Sequence, residues 1–136
     1  MTAKIQLGAR IILGLIYFVF GGMGLAMALG LMHMPEQPMS PAAGEFMQGI
    51  MATGYFFPVL KLTETLFGLL LLLGIAVPLS LVILAPVTLQ IILFHAFLTA
   101  GVGNLILPLL MLIAHIIAMG GCWDLYKPLF SKGRKV

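Results

Sequence analysis

Lys61 and Glu64 stand one helical turn apart in the run Gly54-Tyr55-Phe56-Phe57-Pro58-Val59-Leu60-Lys61-Leu62-Thr63-Glu64, inside an otherwise apolar stretch. A charge at the centre of a membrane helix costs roughly 2.5–3.5 kcal/mol even on the lenient insertion scales. A pair kept at such a place has a partner, a water-filled cavity or a chemical task. Buried carboxylates and imidazoles are suited to proton exchange near neutral pH. Glu64 with His95 could therefore pass a proton to or from a bound apolar ligand. The structural alternative is an ion pair near the interface, with Lys61 snorkelling to the headgroups.

Further polar residues lie within the apolar stretches. Tyr17, Gln90 and His115 join Lys61, Glu64 and His95 as pocket candidates, and Thr88 shares a face with His95 and Thr99. Gln90 points about 140° away from His95 at about 100° per residue, toward a different neighbour. The three histidines are too far apart in sequence to form a local ligand set. Met32-His33-Met34, with Met39 nearby, is soft enough for Cu(I), but methionines are scattered along the whole chain, which speaks against a metal site. No nucleotide-binding loop, Ser-His-Asp order or zinc spacing occurs. Cys122 is the only cysteine, so neither an internal disulfide nor a dithiol redox motif is available. No covalently bound cofactor is expected.

The elements that must position these residues are membrane helices. The chain is 62% hydrophobic and 8% charged, with a mean hydropathy of +1.18. Soluble domains carry about 25% charged residues, so lipid must be the solvent here. Four spans are predicted, at about residues 10–32, 56–77, 79–99 and 104–125. Each reaches or approaches the ~20 residues that a bilayer core demands. The breaks at Pro78 and at Gly101-Val102-Gly103-Asn104 are short enough to make their neighbours antiparallel. The fold class is thus an all-α membrane protein, an antiparallel four-helix bundle forming one domain over residues 1–136. Ala26-Met27-Ala28 has the form of a signal-peptide cleavage site, but apolar residues continue to Met32, which favours a retained helix.

Only the connection between the first two spans is long. It opens with Met34-Pro35-Glu36-Gln37-Pro38. Ser40-Pro41 then reads as an N-cap with proline at the first helical position. A short interfacial helix over residues 42–53 follows, with Phe46, Met47, Ile50 and Met51 as its apolar side.

Lys4 and Arg10 flank the first span, and Lys127, Lys132, Arg134 and Lys135 follow the last. The long loop carries Glu36 and Glu45 and no basic residue. Both termini are therefore expected in the cytoplasm. The net charge of +3 reflects these anchors and is not a nucleic-acid signal.

Depth brings the polar groups to related levels. At 1.5 Å per residue, Glu64 lies about 12 Å below the outer start of its helix, and His95 about 24 Å above the inner start of the next. In a core of roughly 30 Å both fall in the outer half, with His115 near the midplane. Small residues at positions 14, 21, 24 and 28 share the face of Arg10 and Tyr17, and Lys61, Glu64 and Gly68 share another. Pro86 and Pro108 interrupt two helices, as packing kinks or as sources of a freed carbonyl that lines a pocket.

The run from Gly54 to Lys61, followed by Glu64 and Gly68-Leu69-Leu70-Leu71-Leu72, resembles the second helix of the DoxX family. Val77-Pro78-Leu79, Leu84-Ala85-Pro86-Val87 and Ile91-Ile92-Leu93-Phe94-His95 are similar to its third helix, and Tyr126-Lys127-Pro128-Leu129-Phe130 to its ending. Arg10 and Gly21-Gly22 match its first helix more loosely. The chain departs from the pattern in three places. Met23-Gly24 stands where the family often has lysine or asparagine, Gln90 where asparagine is common, and His115 near where close relatives tend to carry an acid. The resemblance implies a four-helix protein of the plasma (inner) membrane, a membrane subunit of a quinone-linked or redox-stress system. It implies a quinone as ligand and a redox partner protein as electron donor. Two other classes stay open: a small carrier of apolar compounds, which would need to form a homo-oligomer, and a non-catalytic anchor or assembly partner.

Overall fold

The computed structural model describes residues 2–34, 38–99 and 101–133. Glu36, Arg134 and Lys135, on which part of the charge argument rests, and the Pro35–Gln37 segment lie outside the described residues. Among the described residues six α-helices follow in order: α1 Ala3–Ala28, α2 Pro41–Ala52, α3 Phe56–Leu73, α4 Val77–Phe97, α5 Ile106–Gly120 and α6 Trp123–Tyr126. Single 3₁₀ turns at Val102–Leu105 and Lys127–Phe130 precede α5 and follow α6. Four of these segments are long and apolar enough to cross a membrane: α1, α3, α4 and Val102–Gly120. The protein is an all-α, four-helix integral membrane bundle.

The helix limits differ from the expected spans for local reasons. α1 begins at Ala3, well before Arg10, because Thr2 caps it and its hydroxyl accepts from the Ile5 amide at 3.4 Å. It stops at Ala28, short of Met32, in a Schellman motif: the Leu31 amide bonds the Ala26 carbonyl while Gly30 takes a φ of 75°. α3 ends the same way at Leu73, with Gly74 at φ 72° and the Ile75 amide on the Leu70 carbonyl. The last span breaks at Gly120, where the Gly120-Gly121 pair separates it from the short α6. Pro108 sits in the first turn of α5, where its missing N–H removes no bond within α5 itself.

The short helix of the long connection forms as expected. The Ser40 hydroxyl accepts from the Ala43 amide at 3.3 Å and also donates to the Leu98 carbonyl at the end of α4. One side chain thus starts α2 and ties it across the bundle. At the opposite end, the Tyr126 hydroxyl donates to the Pro78 carbonyl at 2.7 Å, which pins the tail to the first turn of α4. Trp123 and Phe130 stack there with centroids 5.6 Å apart.

The four spans close a ring in the order α1, α3, α4, α5, with α1 and α3 in the most extensive contact. Glycine explains that contact. A Cβ built on Gly68 would lie 2.6 Å from the Phe18 amide nitrogen, and one on Gly21 2.8 Å from Glu64 Cβ. Only hydrogen fits at these crossings, so the two backbones meet directly. Leu13, Tyr17, Leu71, Leu81 and Leu84 fill the core that results.

Candidate functional site

Rings replace small residues at the α2 end of the bundle, and the helices separate there around a cavity of about 810 Å³. Phe56, Phe57 and Leu60 of α3 face Val87, Ile91 and Phe94 of α4 across it. α1 contributes Ile16, Tyr17 and Phe20; α5 contributes Leu107 and Met111. α2 lies over it with Phe46, Met47 and Ile50, three of the four residues expected on its apolar side. Met51, the fourth, is exposed. Phe46 and Phe94 meet at 5.5 Å between centroids, which joins the cover to the α4 wall. A volume of this size suits a drug-sized apolar ligand.

Lys61 and Glu64 are the charged groups of the wall. Their Nζ and Oε2 atoms are 2.9 Å apart. Glu64 is 4% exposed, because α1 approaches it at Gly21. The Lys61 stem occupies the space that Gly24 leaves open: a Cβ on Gly24 would lie 2.4 Å from Lys61 Cδ. The Lys61 ammonium also sits 5.6 Å from the centre of the Phe57 ring. The Lys61 charge stays with Glu64. The pair is neutral as a whole and fixed to a rigid helix crossing.

His95 faces the same cavity from α4. Its Nδ1 is 2.7 Å from the Ile91 carbonyl oxygen, one turn back on its own helix. A carbonyl only accepts, so Nδ1 carries the proton. Nε2 has no partner among the described residues. Gln90, a pocket candidate, also lines the cavity although it points about 140° away from His95 on the helix. The cavity is wide enough to run across two faces of α4.

His115 does not join this group. It lies in the core, where its Nε2 donates to the Leu81 carbonyl at 2.8 Å. That bond fixes Nδ1 as the acceptor, and the Thr88 hydroxyl donates to it at 2.8 Å. Thr88 in turn accepts from the Tyr17 hydroxyl at 2.5 Å. The chain Tyr17–Thr88–His115–Leu81 thus binds α1, α4 and α5 behind the cavity, with every member satisfied. Tyr17 belongs to both regions, with its ring in the cavity wall and its hydroxyl in the network. Sequence reasoning put Thr88 with His95; depth arithmetic could have paired it with His115. Thr88 lies about 14 Å above the start of its helix, level with His115 about 16 Å below the start of its own.

Other candidates lie elsewhere. Met32, Met34 and Met39 are exposed in the long connection. Among the described residues no three His, Cys, Asp or Glu side chains converge as metal ligands. Cys122 is half-buried beyond the last span, and burial pushes its thiol up, away from the reactive thiolate. Arg10 lies against Gly74 at the end of α3, with its Nε buried and unbonded. No family model, curated protein or solved structure matches this chain.

Proposed function

We propose that this integral membrane protein is the ligand-binding membrane subunit of a quinone-linked redox system, built on the DoxX plan that its second and third spans resemble. One observation carries the reading: an apolar, ring-lined cavity with Lys61, Glu64 and His95 on facing walls. A quinone needs a slot for its ring, an apolar route for its tail and groups that exchange protons with its oxygens. The cavity offers each of these. It offers no electron path of its own, since the chain has one cysteine and no cofactor motif. A partner protein must supply the electrons.

Purified protein is expected to bind a short-tailed quinone analogue and to show no turnover with thiosulfate or thiols. Titration calorimetry and a quinone-reduction assay check the two halves. Failure to bind any quinone, with tight co-purification of another protein, would move the reading to an anchor or assembly partner. Transport of apolar compounds by a reconstituted oligomer would favour the carrier reading.

In the proposed orientation both termini are cytoplasmic and α2 lies on the outer face of the plasma membrane. Met39, exposed beside the α2 cap, is the position to label from outside, since Ser40 itself is engaged. In a Cys122→Ala background, Met39→Cys should react with an impermeant maleimide on intact cells and Ser131→Cys should not. The reverse labelling pattern inverts the topology.

A further inference from the structure

The hydrogen-bonding groups of the cavity are unequally divided between donors and acceptors. The His95 Nδ1 proton is committed to the Ile91 carbonyl, which leaves Nε2 as a bare acceptor. Glu64 uses Oε2 for Lys61, and Oε1 accepts no bond from the described residues. On the donor side stands Lys61 alone, and its ammonium is held by Glu64 and lies near the Phe57 ring. Gln90 carries both an amide donor and a carbonyl, so it suits either kind of ligand equally.

From this balance we infer that the cavity is built for a hydroxyl-bearing ring, the hydroquinone form of its ligand, in preference to the quinone. The inference rests on the functional reading above. A quinone oxygen only accepts. It satisfies Lys61 but, on displacing water from the cavity, leaves His95 Nε2 and Glu64 Oε1 without a donor, which is costly. A hydroxyl donates and accepts at once. The two hydroxyls of a hydroquinone supply two protons, one for each bare acceptor, and still offer lone pairs to Lys61. Sites built to bond a hydroxyl reject analogues that lack it far more strongly than apolar pockets reject a change of size.

The test compares three ligands on the full chain in lipid nanodiscs by titration calorimetry under anaerobic conditions. They are a short-tailed benzohydroquinone, the matching quinone and the dimethyl ether of the hydroquinone. The hydroquinone is expected to bind at least about tenfold tighter than the other two. Its advantage should shrink in His95→Phe, which keeps a ring and removes one acceptor, and in Glu64→Gln, which turns the free carboxylate oxygen into a donor. Such a preference also raises the two-electron midpoint potential of the bound couple by about 30 mV for each tenfold. Spectroelectrochemical titration of the bound couple reads that shift independently, so native protein suffices if the variant does not fold. Equal affinity for hydroquinone and quinone overturns the inference and leaves the functional reading standing. A preference that survives both His95→Phe and Glu64→Gln overturns the assignment of the acceptors. Binding of none of the three removes the functional reading and this inference with it.

Discussion

Gly68→Val is expected to leave no folded bundle. The α1–α3 crossing has no room for a side chain at this position, since a Cβ would lie 2.6 Å from the Phe18 amide nitrogen and 2.9 Å from Tyr17 Cβ. The nearest obstacle is backbone, so it cannot rotate aside. The helices must separate, and every contact of the crossing weakens together. Overpacking of a tight core costs about 1–3 kcal/mol where side chains can yield, and more where they cannot. In lipid that loss has no hydrophobic compensation, because packing itself holds the helices together. Size-exclusion chromatography and thermal melting in detergent should show aggregation for Gly68→Val. Gly22→Ala is the control: its Cβ would meet nothing closer than 4.0 Å, so stability should stay within about 0.5 kcal/mol. Gly24→Ala should fall between the two, because its obstacle is the flexible Lys61 stem. A Gly68→Val protein that elutes and melts like the native one would refute the direct backbone contact.

The same glycines mark how far the sequence is legible. The stripe of residues 14, 21 and 24 beside Tyr17, and Gly68 below Lys61 and Glu64, already names the faces that meet. Four apolar runs give the number of spans, and Ser40-Pro41 gives the start of α2. The ends of the spans are less legible, since hydropathy continues past the point where a backbone turn stops the helix. Leu29, Leu31, Ile75 and Ala76 are as apolar as the helices they follow. Their boundaries were set by Gly30 and Gly74 in the left-handed region, a signal that lies in single residues and not in the average.

At the site, the pairing of Lys61 with Glu64 follows from their spacing on one helix. The company they keep does not. His95 and His115 look alike as lone histidines within apolar spans, yet one faces the cavity and the other is bonded at both nitrogens in the core. Their difference depends on which helix stands opposite, and the ring order of the four spans decides that. Gln90 shows the same limit from the other side. Its angle on the helix was right, but a helix beside a wide cavity presents more than one face to it.

Removing one member of the charged pair is expected to do more harm than removing both. Lys61→Met keeps a flexible stem over Gly24 and leaves the Glu64 carboxylate buried without its counter-charge. Breaking a buried pair in this way costs about 3–5 kcal/mol. The double variant Lys61→Met/Glu64→Leu buries no charge, and replacement of a whole buried pair by apolar residues is commonly neutral or stabilising by about 1–4 kcal/mol. Its melting temperature should return to the native value or exceed it. Glu64→Gln should also fold, since the amide keeps the carboxylate's shape and can still accept from Lys61. Ligand binding should follow a different order. It should be lost in Lys61→Met and equally in the double variant, although the latter is stable. That separation is what a pair kept for chemistry requires: the fold does better without the charges, and only the ligand needs them. A double variant as unstable as Lys61→Met, or one that binds ligand like the native protein, would instead make the pair a structural bolt between α1 and α3.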